Sequence, residues 1–148
     1  MFTYTIDRDA ILEVVDEEVS RIADSAYGED GTPLYDFVTI TDRDADPLDR
    51  LVSDAVASVA ARFRDVCRHS VSGGSEALEF YVPDFDETNN GDLAEDEISR
   101  YIIYSVTAKF LAQRHPASVP EYTDRANAAL QKAVSILKTR KAPLESWT

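Results

Sequence analysis

Residues 94–141, AEDEISRYIIYSVTAKFLAQRHPASVPEYTDRANAALQKAVSILKTRK, hold two helical patterns joined by a short proline-marked turn. In the first, Ile98, Tyr101, Ile102, Ile103, Tyr104, Val106, Phe110 and Leu111 spread around much of the helical circumference. A helix that is apolar on more than one side is buried centrally or shared with another subunit. In the second, Ala126, Ala129, Leu130, Ala133, Val134 and Leu137 form one stripe. Asp92 with Glu95, and Ser118 with Glu121, have capping-box spacing. They place the helix starts near Asp92–Ala94 and after Ser118, with Pro120 in the first turn of the second helix. Lys138, Arg140 and Lys141 fall where the negative end of a helix favours cations.

Two further helices precede this pair. Ile11, Leu12, Val15, Val19 and Ile22 share a face over about Asp7–Ala26. Thr5 or Asp7 can cap that helix, and Gly28 can close it in a left-handed conformation. Asp46-Pro47 opens the next helix, with Asp as N-cap and Pro at the first position. Its stripe is Leu48, Leu51, Val52, Ala55, Val56, Val59, Ala60 and Phe63, and the pattern runs to about His69. Phe37–Ile40 reads as a short β-like run. The alternation of Leu78, Phe80 and Val82 with Glu79 and Tyr81 reads as a strand stopped by Pro83. The two runs are expected to pair as a small ribbon packed on the helices. The expected fold is therefore mainly α: a four-helix, bundle-like single domain over residues 1–148, with a two-stranded β element and a short tail, 142–148.

The charge is divided along the chain. Residues 1–100 carry eight Lys/Arg against 25 Asp/Glu, a net of −17, and residues 101–148 carry seven against three, a net of +4. An acidic surface repels a phosphate backbone, so the chain as a whole is not built to grip nucleic acid. No apolar run approaches the roughly 18–20 residues that span a bilayer. The first residues, MFTYTIDRDA, bear acids where a secretory signal has a basic and then an apolar region, which points to synthesis in the cytoplasm.

Few residues are arranged for chemistry. The single cysteine, Cys67, rules out an intramolecular disulfide and reads as a half-buried helix residue. His69 and His115 each follow an Arg near an expected helix end, where they favour the dipole. Asp42, Asp44 and Asp46 read as a solvated lead into the Asp46 cap. Tyr101, Tyr104 and Tyr122 fall at core spacing rather than forming a platform for bases. Asp86–Glu97 resembles a calcium loop: Asp86, Thr88 and Asn90 at positions one, three and five, Gly91 at the turn, Glu97 at the twelfth. Yet strand and Pro83 precede it where an incoming helix is required, and Ala94 supplies no oxygen. The plainer reading, a polar loop capping the next helix, is preferred; no metal, cofactor or catalytic residue is assigned, and the chain is expected not to be an enzyme.

The organisation resembles the head–tail connector (adaptor, or head-completion) proteins of tailed bacteriophages, mostly over residues 46–141. The small-residue helix after an Asp-rich lead is matched by Asp46–Phe63. The later pair, a helix ending in Arg and one starting near a Tyr, is matched by Ile98–Arg114 and Tyr122–Leu130. A closing Leu followed by basic residues is similar to Leu137–Lys141. The acidic first helix and residues 84–97 depart from that pattern. The resemblance implies a non-enzymatic virion protein, made in the host bacterial cytoplasm. Copies would form a ring, taken as a dodecamer, between the portal protein and a tail or second connector protein. Double-stranded DNA would pass through without sequence-specific binding, and no membrane would be involved. Leu144 and Trp147 are the expected partner contacts. The alternatives are a soluble bacterial protein–protein interaction module with an acidic face, and a calcium-dependent binding domain.

Overall fold

The computed structural model describes residues 1–138. Its elements are β1 (Phe2–Ile6), α1 (Arg8–Asp24), α2 (Tyr35–Val38), α3 (Ala45–Arg62), β2 (Cys67–Ser72), β3 (Ser75–Phe80), α4 (Glu87–Leu111) and α5 (Val119–Leu137). Single 3-10 turns, Asp42–Asp44 and Pro116–Ser118, lead into α3 and α5. The fold is mainly α with a small sheet, as the helical periodicities require.

α4 occupies the middle. Ala94, Ile98, Ile102, Val106 and Leu111 are fully buried, and Ile103, Ala108 and Phe110 nearly so. These residues point in several directions, and α5, α3 and α1 each pack against a different side of the helix. Burying an Ile or Leu contributes about 1.5–3 kcal/mol, against about 0–1 kcal/mol for an exposed ion pair, so this packing sets the architecture. α5 lays its stripe of Tyr122, Ala126, Ala129, Ala133 and Leu137 along α4, and the small alanines allow close approach. α1 buries Ile11, Val15, Val19 and Ile22, and Asp7 caps it by accepting from the Ala10 amide at 3.1 Å. The buried Tyr122 hydroxyl donates to Glu18 (2.7 Å) and accepts from Arg21 (2.7 Å), tying α5 to α1.

The β element differs from the expected ribbon. It is a three-stranded antiparallel sheet in the order β1-β3-β2, with Phe2 and Cys67 flanking Phe80. Phe37–Ile40 takes no part in it: the Phe37 and Val38 amides both donate to the Leu34 carbonyl, which makes the short helix α2. The second helix also stops earlier than its apolar stripe suggests. Phe63 caps it, Val66 and Cys67 donate back to the Phe63 carbonyl, and the chain turns into β2. Cys67 and His69 are therefore strand residues, not helix residues. Gly73 and Gly74, at φ +57° and +83°, form the two-residue turn between Ser72 and Ser75. That is the geometry of the tight hairpin turns favoured by strand twist. Buried Phe2, Tyr4, Ile6, Leu78 and Phe80 face the helices, and Phe80 meets Phe2 and Phe63 at ring separations of 5.6 and 5.5 Å.

Helix starts move as well. α1 ends at Asp24, so Gly28 is not its cap; Gly31, at φ +82°, takes the left-handed conformation instead. α3 begins just before Asp46, because the 3-10 turn feeds directly into it. Ser118 forms no cap hydrogen bond; its hydroxyl lies 2.6 Å from His115 Nδ1, and Glu121 binds Arg125 instead. α4 starts at Glu87, capped by Asp86 through the Asn89 amide at 3.3 Å, so Asp92 and Glu95 cap nothing.

Gly91 thus lies within a helix. A Cβ there would sit 3.8 Å from the Phe2 ring and 3.5 Å from Glu87 Cγ, which is ordinary contact distance. Gly91→Ala is expected to stabilise the protein by about 0.5–1 kcal/mol, through helix propensity and a less flexible unfolded chain. Urea denaturation of both forms measures it, and a lower midpoint for the variant contradicts the helical assignment.

Candidate interaction surface

The connection between α1 and α3 carries the densest group of exposed aromatic side chains. Tyr27, Tyr35 and Phe37 are 61%, 41% and 59% exposed. Exposed aromatic side chains are candidates for protein contact. Here the chain is held so that they stay outward. Tyr27 bridges to Pro33, the Gly28 amide donates to the Thr32 carbonyl (2.8 Å), and the Leu34 amide donates to the Ala26 carbonyl (2.9 Å). Asp30 accepts from the Thr32 amide at 3.0 Å, and this bond holds its carboxyl below the usual range. Glu29, Asp30 and Asp36 give the aromatic group an acidic border.

Arg114, at the end of α4, anchors the far side of this connection. Its guanidinium donates to the Thr39 carbonyl (3.0 Å) and to both oxygens of Asp44, with one bond at 3.1 Å. It also lies over the Phe110 ring at 4.2 Å. Asp44 is buried and accepts from the Thr41 amide at 2.8 Å. Burial opposes its charge, but Arg114 and Thr41 outweigh that cost and hold the carboxyl below its ordinary value. Asp44 is therefore not part of a solvated lead; with Arg114 it holds the stretch Thr39–Thr41 that follows α2.

The remaining partly buried carboxylates are similarly occupied. Glu76 accepts from Arg8 (2.8 Å) and lies 2.7 Å from His69 Nε2; Arg8, with His69, lowers its titration. Arg8 also reaches Asp49, joining the sheet to α1 and α3. Glu18 is opposed by burial but lowered overall by Arg21 and Tyr122. The Cys67 thiol is pushed up to about 11 by burial, which keeps it protonated and unreactive at neutral pH.

The calcium-loop spacing at Asp86–Glu97 dissolves in the structure. Residues 87–97 are helical, so their oxygens point around an axis instead of converging, and Glu97 is bound to Arg100 at 2.6 Å. Among the described residues no cluster of His, Cys, Asp or Glu is arranged to hold a metal ion. Tyr104 packs beside the buried Tyr122, with Arg125 over both rings. His115 lies beyond the end of α4, where its amide donates to the Leu111 carbonyl. Leu144 and Trp147 lie outside the described residues. No described helix is long and apolar enough to cross a membrane. The aromatic group of Tyr27, Tyr35 and Phe37 escaped the sequence reading because these residues follow no helical or strand period. Aromatics held in a polar, turn-rich stretch were the available signal.

No family model, curated protein or solved structure matches this chain.

Three outcomes follow from the geometry. Arg114→Met strips Asp44 of its cation; complete loss of a buried partner costs about 3–5 kcal/mol, and the quarter exposure of Arg114 reduces this to about 2–3 kcal/mol. The folded carboxyls of Asp44, Glu76 and Glu18 lie below their unfolded values, so the stability they contribute is present above the unfolded pKa. It is lost as pH falls through the folded one. Wild type should therefore weaken below about pH 4, more steeply than Arg114→Met, in thermal melts across pH. In a second melt, excess calcium should leave Tm unchanged, because a ligand bound only by the folded state raises it.

Proposed function

We propose that this chain is a structural virion protein that joins the portal to the tail of a tailed bacteriophage, as a ring through which DNA passes. The observation that carries the reading is a strongly acidic helical domain that exposes Tyr27, Tyr35 and Phe37 on the hydrogen-bonded connection between α1 and α3. The aromatic side chains supply what a protein–protein contact needs at its centre. The net charge of −17 over residues 1–100 suits a bore that DNA slides through, because few phosphate contacts form. The likeness of residues 46–141 to connector proteins supplies the particular setting. The same surface also fits an interaction module of a bacterial cell, and the choice of partner separates the two.

The test mixes the purified protein with a candidate portal protein and follows the complex by size-exclusion chromatography and negative-stain imaging. A ring-shaped complex is expected, and Phe37→Glu should weaken it at least tenfold while leaving the free protein's Tm within about 2 °C, since an exposed substitution costs under about 0.5 kcal/mol. Binding of duplex DNA at physiological salt should be weaker than the roughly 10⁻⁴–10⁻⁶ M of ordinary non-specific binders. Failure to bind any portal, together with capture by a cellular protein through Phe37, would move the protein to the second reading.

A further inference from the structure

β2 is an edge strand, and its register fixes which of its backbone groups face outward. The Tyr81 amide donates to the Val66 carbonyl at 2.6 Å, and Ser72 pairs with Ser75 at the turn. Bonded and non-bonded positions alternate along an antiparallel pair. Arg68, Ser70 and Ser72 therefore exchange bonds with β3, while His69 and Val71 turn both N–H and C=O to the open edge. The Cys67 amide would also face outward, but it donates to the Phe63 carbonyl at 2.8 Å. Among the described residues no strand pairs with this edge. It also lacks the usual protections of an edge. Cys67–Ser72 contains no proline or lysine, its pairing with β3 is unbroken by a bulge, and Arg68 is drawn to Glu79 of its own sheet at 3.3 Å. Val71 is 70% exposed, more than any other large apolar side chain described.

We propose that the β2 edge pairs with the β2 edge of a second copy, antiparallel and centred on Ser70, so that the two sheets become one. The outward backbone groups select this occupant and this register. A two-fold axis at Ser70 sets His69 opposite Val71 of the second copy, and Val71 opposite His69 of the second copy. Every outward N–H and C=O of these residues then finds a partner. An axis at His69 would instead need the Cys67 amide, which is already taken. The Ser70 register also lays His69 beside the exposed Val71 and sets Arg68 opposite Ser72, so no like charges stand directly across from each other. Self-matching of one patch about a two-fold axis is the commonest form of association between identical chains. The inference is independent of the connector reading and uses none of Tyr27, Tyr35 or Phe37.

Sedimentation equilibrium of the native full-length chain, from micromolar to millimolar concentration, should show a reversible monomer–dimer equilibrium, because a contact through one strand edge is too small for a tight complex. Each copy carries a net charge of −13, so added salt should strengthen the dimer. Val71→Pro removes an outward amide without touching the β2–β3 bonds, and should raise the dissociation constant about tenfold. Val71→Lys should weaken the dimer as well, and carries the test if the proline disturbs the hairpin. Cysteines read the register. In a Cys67→Ser background, Ser70→Cys stands opposite its own copy at about 4.5 Å between Cα atoms, and oxidised glutathione should link the two chains. Val71→Cys in the same background lies farther from its own copy than the roughly 7 Å a disulfide can bridge, and should link about tenfold more slowly. A chain that stays monomeric at every concentration overturns the proposal. So does a dimer that both Val71 variants leave unchanged, and so does equal linking through positions 70 and 71.

Discussion

The second half of α4 is buried around most of its circumference, and that condition constrains the whole molecule. Ile98, Ile102 and Val106 form one stripe, while Ile103, Ala108 and Leu111 face other directions, so α1, α3 and α5 together cover the helix. Each of those three then needs only a single stripe, and each has one. The sheet has a similar dependence: Phe2 and Phe80 reach their buried state only because Phe63 and Phe85 close around them at ring separations of 5.5–5.6 Å.

The helical part of this plan was legible because its signals are local. The stripes of α1, α3, α4 and α5 repeat within one segment, and periodicity alone places them. The sheet was hidden for a different reason. Residues 2–6 alternate buried and exposed, as a strand should, but the run is only five residues long and its partner lies 70 or more positions away. Gly73-Gly74 carried a hairpin signal that was read as a mere break. Phe37 was misplaced because its short apolar run has no period, and the Leu34 carbonyl decides it by accepting two amides.

The polar interactions were the least legible. Nothing near Asp44 in sequence distinguishes it from Asp42 or Asp46. Only Arg114, 70 residues on, makes it a buried anchor. The calcium-loop spacing at 86–97 shows the converse failure: oxygen-bearing residues at the right intervals, on a backbone wound the wrong way. Asp86 caps α4, and every later residue of the pattern lies in the helix.

The pairing of β1 with β3 also sets an order of events during synthesis. Phe2–Ile6 is made before Glu76–Phe80, the strand it bonds to, and Phe2 packs against Phe85, which appears later still. At about 5–20 residues per second, the ribosome takes several seconds to deliver that partner. Throughout that interval a short alternating run of aromatic and β-branched residues has no strand to pair with, the condition under which nascent chains meet one another at their edges. The β2–β3 hairpin, closed by two glycines, is complete within a few residues of its own synthesis. It presents β3 as the template on which the earlier-made β1 pairs.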